Sequence, residues 1–262
     1  MKIAVCLSGQ LRTWRQCYET WDLLFKGLEK SKHLENEVIE VDYFIHTWDF
    51  NSKPYSQWTL ERQGINGFQA PPAELHDQKE LEDFLSLVKP KKYLIENEEK
   101  SDSRKIKLDE RSRFRLDDTK WPPLSWSGSQ LYGLMMAGWL KKEYELENGF
   151  KYDMVVRLRP DLHFNELNRR ILANDFTPLK PKTVYSCHSF ATHEFPHDAA
   201  GDIFFYSDSE TYDVMSSLYN WLPQMDPHIF RVDFRIEEML VYFMRMFNFK
   251  NMRLKLDPKV QR

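Results

Sequence analysis

No stretch of this chain approaches the ~20 consecutive apolar residues that a membrane span requires. Its opening, MKIAVCLSG, turns polar too soon for a secretory signal and reads directly as a first strand. Cysteine is scarce: 3 in 262 residues (Cys6, Cys17 and Cys187), with no Cys-x-x-Cys spacing. An odd count without a signal leads to the expectation of a reduced, cytoplasmic compartment. Charge of one sign is lacking too. The 37 Lys and Arg against 40 Asp and Glu give a net charge of -3, so nothing electrostatic argues for a nucleic-acid partner. There is no G-x-G-x-x-G and no P-loop lysine, which excludes the signatures of dinucleotide enzymes and P-loop kinases. No internal repeat or clean linker appears, so one domain is expected.

What is present is a chain of ordinary globular composition, 42% hydrophobic and 29% charged, with 15% aromatics that belong mostly to the core. Lys2 to Leu7 is a nearly continuous apolar run, as in a central strand covered on both faces. From Trp14 to Lys30, Trp14, Tyr18, Trp21, Phe25 and Leu28 recur at helical spacing. Val41 to Trp48 predicts a second strand, Glu74 to Val88 a second helix stopped by Pro90, and Lys92 to Glu96 a third strand. This βαβαβ order predicts a parallel sheet with right-handed crossovers. Glu98 to Asp118 mixes both charges with few core residues and reads as a mobile surface insertion. Trp126 to Glu147 predicts a long helix. Leu131, Leu134, Met135 and Trp139 form its buried face, Gly133 and Gly138 pack closely on the sheet, and Ser127 or Ser129 caps its start. Further strands are expected at Thr183 to Cys187, Asp202 to Tyr206 and Met252 to Leu256. Helices are expected at Glu210 to Trp221 and Phe234 to Met246.

The most informative segment is YDMVVRLRPDLHF, Tyr152 to Phe164. It starts as a buried strand and ends in charge. Side chains alternate along a strand, so Arg157, Arg159, Asp161 and His163 share one parity, while Val156, Leu158, Leu162 and Phe164 share the other. Pro160, lacking an amide hydrogen, marks the end of regular pairing. Ligands of open α/β sheets bind beyond the carboxyl ends of the strands. Arginine suits phosphate and a carboxylate suits a divalent cation. A surface ion-pair ladder is the competing reading. The ligand site is preferred because one strand carries all these groups on an otherwise apolar body.

Other candidates are read locally. Ser8-Gly9-Gln10-Leu11-Arg12 joins the first strand to the first helix, where Gly9 admits a close backbone and Arg12 supplies a fork of donors. His46-Thr47-Trp48-Asp49 ends the second strand, and Trp48 is either a pocket wall or packing. His193-Glu194-Phe195-Pro196-His197 matches HExxH by letter. Pro196 costs about 3 kcal/mol inside the helix that such a zinc site needs, so the match reads as accidental. Asp198 and Asp202 bracket small residues before an apolar strand, at a turn or at the rim of an acceptor site. Glu237 and Glu238 open an amphipathic helix, where acidic residues complement the dipole and one is also placed to act as a general base.

Taken in order, IAVCLSGQLRTW, FIHTWD, SQLYGLMMA, YDMVVRLRPDLHF and GDIFFYSD resemble glycosyltransferases of the GT-A fold. More narrowly, they resemble bacterial and viral sugar transferases whose strands end in R-x-R-P-D. The resemblance implies an α/β, GT-A-like single domain: a mostly parallel, Rossmann-like central sheet flanked by helices. Residues 1–164 would form the nucleotide-sugar half and 165–262 the acceptor half. It implies a nucleotide-diphosphate-sugar donor, a glycan or glycolipid acceptor, and Mn2+ or Mg2+. The donor set would be Ser8, Gly9, Arg12, Thr47, Gln130, Arg157 and Arg159. Arg159-Pro160-Asp161 stands where this fold usually has Asp-x-Asp, so Asp161 alone is left as the metal ligand. The catalytic candidates are Glu237 and Asp198. The alternatives are a catalytically silent nucleotide- or glycan-binding domain of the same fold, a zinc hydrolase acting through His193 and His197, and a sulfotransferase, for which no phosphosulfate loop is found.

Overall fold

The computed structural model describes residues 1–28, 31, 33–34, 37–51, 74–97, 124–176, 178–187, 200–225, 236–256 and 258–260. The first strand, β1, is Lys2–Ser8, and α1 (Trp14–Leu28) returns the chain to β2 (Glu40–Trp48). A short ladder of β3 (Phe50–Asn51) and β4 (Glu74–Leu75) precedes α2 (Gln78–Val88) and β5 (Lys92–Glu96). The helix therefore starts four residues later than its apolar spacing suggests. Asp77 sets the boundary, because its side chain accepts the amide hydrogen of Lys79 at 3.1 Å. Lys89 ends the helix in the left-handed conformation (φ 50°), one residue before Pro90.

The long helix α3 spans Leu124–Asn148, and β6 is Met154–Leu158. Then come β7 (Leu162–His163), α4 (Glu166–Asp175), β8 (Thr183–Ser186), β9 (Phe204–Ser207), α5 (Ser209–Ser216) and α6 (Leu218–Trp221). A last helix, α7 (Ile236–Met246), leads to β10 (Lys250–Arg253) and β11 (Lys259–Val260). The expected Glu210 to Trp221 helix is thus two short ones. The charged segment Glu98 to Asp118 lies outside the described residues, as do His193 to Asp198.

Seven strands form one sheet in the order β10-β8-β9-β6-β1-β2-β5. β5, β2, β1 and β6 are mutually parallel, as are β8 and β10. Only β9, among these seven, runs against its neighbours. The fold is α/β, with a mostly parallel central sheet between helical layers, and strands from both sides of residue 164 share it.

Alternation divides the core as the pleat requires. Ile3, Val5, Leu7, Val156 and Leu158 face α1, where Trp14, Trp21, Leu24 and Phe25 are fully buried. Ala4, Cys6, Phe44 and Val155 face the layer that holds Leu131, Leu134, Tyr212 and Phe243. In α3, Gly133 meets the sheet as expected: a Cβ there would lie 3.2 Å from His46 Nδ1 and 3.3 Å from Ser8 Cβ. Gly138 does not. It faces Ser216 of α5, so helix–helix contact excludes a side chain there. Trp139, expected in the core, is 51% exposed, because α3 packs a narrower stripe than its apolar residues suggest. Ser127 and Ser129 lie inside a helix that begins at Leu124, so neither caps it.

Candidate active site at the carboxyl ends of β1 and β6

The strand order places the site. From β1 the chain moves outward through β2 to β5, then crosses back over α3 to enter β6 on the other side of β1. After β1 the chain proceeds toward the β5 edge and after β6 toward the β10 edge, so the strand order reverses between them, and the carboxyl ends at such a reversal are where doubly wound sheets take ligands.

Arg157 stands opposite Cys6 in the β1–β6 register and is 3% exposed. Its Nη1 donates to the carbonyls of Ser8 (2.8 Å) and Leu158 (3.0 Å), tying the two strand ends together. Among the described residues, no carboxylate lies within 4.0 Å of this guanidinium to form an ion pair. Burial lowers its pKa from the ordinary arginine value, the mark of a charge held away from water. Burial also pushes the neighbouring Cys6 thiol up to about 12, which leaves it unreactive.

Beyond the strand, Arg159 grips Asp161 with a two-point fork, Nε to Oδ1 at 2.9 Å and Nη2 to Oδ2 at 2.7 Å. Arg12 Nη1 stands 3.6 Å from the same Oδ2. Burial works against the charge on Asp161, yet Arg159 and then Arg12 hold its carboxyl below the usual range. Burial likewise opposes the charge on Arg159, and Asp161 more than restores it.

The turn after β1 touches the turn after β6. Gly9 sits at φ +135°, a conformation that favours glycine, with Pro160 against it, and its carbonyl accepts from Thr47 Oγ1 at 2.8 Å. From the other face, α1 holds the chain that follows Asp161. Trp21 Nε1 donates to the Leu162 carbonyl at 2.6 Å, and Phe164 N donates to Thr20 Oγ1 at 3.2 Å.

Ser8, Gly9, Arg12, Thr47, Arg157, Arg159 and Asp161 are therefore one contiguous group in space. Of the other expected residues, His163 pairs with Lys259 in the separate β7–β11 ladder. Gln130 is exposed, one turn before Gly133, the α3 residue that packs on Ser8. Trp48 is only 4% exposed, stacked on Tyr132 and edge-on to His46, so it packs the core and offers no wall to a ligand. Glu237 opens α7, and its carbonyl accepts the Ala200 amide hydrogen at 3.1 Å, which ties that helix start to the segment entering β9.

The segment entering β9 carries Asp202, which the sequence left open between a turn and the rim of an acceptor site. Asp202 keeps part of its surface in solvent. Burial raises its carboxyl pKa, while Arg159 and Arg157 pull the other way. Antiparallel pairing of β9 with β6, through Leu158 and Phe204, delivers it there. Glu96 is a group the sequence did not single out. It accepts from Tyr132 OH (3.3 Å) and meets His46 Nε2 (2.8 Å), and burial lowers the His46 pKa, so that ring is neutral at pH 7.

A divalent cation fits these residues poorly. Both Asp161 oxygens already serve Arg159, and among the described residues no three His, Cys, Asp or Glu side chains are grouped to hold a metal. Unit charges 4 Å apart at an effective dielectric near 20 interact by about 4 kcal/mol, and a divalent ion doubles that repulsion against each guanidinium.

No protein-family model and no curated protein matches the sequence. Among solved structures, the chain is similar to a candidate nucleotide-diphospho-sugar transferase from Desulfovibrio desulfuricans G20, at 10% identity over 97% of this chain and 79% of that one (TM-score 0.36). It is also similar to a glycosyltransferase involved in glycosylation of the major capsid of PBCV-1, at 11% identity over 66% of this chain and 72% of that one (TM-score 0.33). Likeness at this level bears on neither substrate nor reaction. No helix among the described residues is long and apolar enough to cross a membrane.

Proposed function

We propose that this chain is a glycosyltransferase that takes a nucleotide-diphosphate sugar as donor and a glycan or glycolipid hydroxyl as acceptor. The observation that carries this reading is a buried guanidinium without an ion-pair partner among the described residues, Arg157, flanked by Arg12 and Arg159 at the switch point of a doubly wound sheet. Breaking the bond between the sugar and the diphosphate leaves negative charge on the departing phosphate. Preorganised guanidiniums in a site shielded from water lower the energy of that charge as it develops. The acceptor oxygen needs a proton acceptor. Glu237, partly exposed in the first turn of α7, takes this role, with Asp202 as the competing carboxylate because a raised pKa makes a stronger base.

The test is a panel of nucleoside diphosphates and nucleotide sugars in thermal-shift assays, followed by turnover of any donor that binds. Glu237→Gln is expected to cut turnover by about 10²–10⁴-fold with donor affinity nearly unchanged. If Asp202→Asn shows that loss and Glu237→Gln does not, the roles are exchanged. Binding of a donor without turnover on any acceptor tried would mark a silent binding domain of the same fold.

A further inference from the structure

We infer that the diphosphate charge at this site is met by guanidinium groups, with Arg157 at their centre, and that no divalent cation takes part in holding it. The inference rests on the donor reading above and concerns how that donor is gripped.

Three guanidiniums and two carboxylates converge here, and the pairing among them is uneven. Arg159 and Asp161 satisfy each other through the two-point fork, with Arg12 at 3.6 Å as a second cation on the same carboxylate. A cation arriving at Asp161 would have to displace Arg159 or sit between two positive groups. Both alternatives cost free energy that the single carboxylate does not return.

Arg157 is in the opposite situation. It is 97% out of solvent, and among the described residues no carboxylate comes within 4.0 Å of it. The carbonyls of Ser8 and Leu158 fix one of its nitrogens, and Asp202 offsets its charge only from beyond ion-pair distance. A buried guanidinium without a counter-ion is destabilising, and an anionic ligand that supplies the counter-charge removes that penalty. Guanidinium matches phosphate oxygens with paired, directional donors, and arginine stays charged when buried, where lysine readily loses its proton. Gly9 leaves the turn beside it without a side chain, which admits a ligand close to the backbone. The strand ends thus carry positive charge of their own at the place where a metal would otherwise bring it.

The experiment is calorimetric titration of the full chain with UDP, GDP, CDP and ADP, each in EDTA and each in excess Mn2+ or Mg2+. At least one nucleoside diphosphate is expected to bind in EDTA, with a Kd that changes less than about threefold when metal is added. Arg157→Lys loses the planar fork and puts there a cation that burial discharges more readily, and is expected to weaken that binding about tenfold with and without metal. Arg159→Lys tests the flanking cation if the Arg157 variant does not fold. Binding that appears only with Mn2+ or Mg2+, or tightens more than tenfold with them, overturns the inference and leaves the donor reading standing. If none of the four binds under either condition, the donor reading itself is lost and this inference with it.

Discussion

Gly201 and Gly133 look alike in sequence and differ in what their missing side chains protect. A Cβ on Gly201 would lie 2.4 Å from the carbonyl oxygen of Cys187, an atom of the backbone at the end of β8. Relief requires moving a strand end next to Asp202, so Gly201→Ala is expected to cost about 1–3 kcal/mol, the usual range for overpacking. At Gly133 the nearest atoms belong to the His46 and Ser8 side chains, at 3.2–3.4 Å. These can give by tenths of an ångström, and alanine gains about 1 kcal/mol of helix propensity over glycine. Gly133→Ala is therefore expected to leave stability within about 1 kcal/mol of the native chain. Urea denaturation of both variants checks the contrast. Equal losses would mean that the layer of α3 against β1 and β2 is as rigid as the strand end.

At the scale of elements, a buried ionic knot joins α3 to α5 and to the entrance of β6. Lys141 is fully buried, with Nζ 3.0 Å from Glu145 Oε2, 2.7 Å from Ser209 Oγ and 2.6 Å from Asp213 Oδ1. Ser209 Oγ donates to Glu145 Oε1 (2.6 Å), and so does the backbone amide of Tyr152 (2.8 Å), two residues before β6 begins. Removing the cation leaves buried carboxylate charge, so Lys141→Met is expected to cost about 3–5 kcal/mol. Burial opposes the charge on Glu145, but Ser209, the Tyr152 amide and Lys141 outweigh it and hold the pKa below the usual glutamate value. A depressed folded pKa contributes stability that is present above the unfolded value of about 4.3 and is lost as pH falls below it. Urea melts between pH 3 and 7 should show this fall. Glu145→Gln should flatten it and lower stability at neutral pH. An unchanged pH profile in that variant would remove Glu145 from the account.

For the molecule as a whole, the candidate site draws on β1, β6, the segment entering β9 and the start of α1. A ligand there bridges strands at the centre of the sheet, and it is bound only while that sheet is intact. A nucleoside diphosphate that binds only the folded chain, at 100 times its Kd, is expected to stabilise it by about 2.7 kcal/mol. Chemical denaturation with and without the nucleotide measures this. A nucleotide that binds by calorimetry yet leaves the unfolding midpoint where it was would also be binding the unfolded chain, which excludes a site that depends on the sheet.

What the sequence determined by itself was everything that depends on local period. Alternation put Arg157 and Val156 on opposite faces of β6, apolar runs marked the central strands, and helical spacing marked α1. The grouping of Arg157, Arg159 and Asp161 was legible because one short segment carries all three. Period reveals which way a side chain points and nothing about what lies opposite it. Only the return of the chain over α3 set β6 beside β1, and so brought Ser8, Gly9 and Arg12 to the arginines. Only the reversed strand β9 delivered Asp202, whose neighbours in sequence leave it between a turn and a site rim. The pairing of Asp161 with Arg159, and the lack of a direct ion pair at Arg157 among the described residues, are matters of ångströms between groups on one parity. Those distances are set by packing across the whole sheet, and they decide which charges stay available to a ligand.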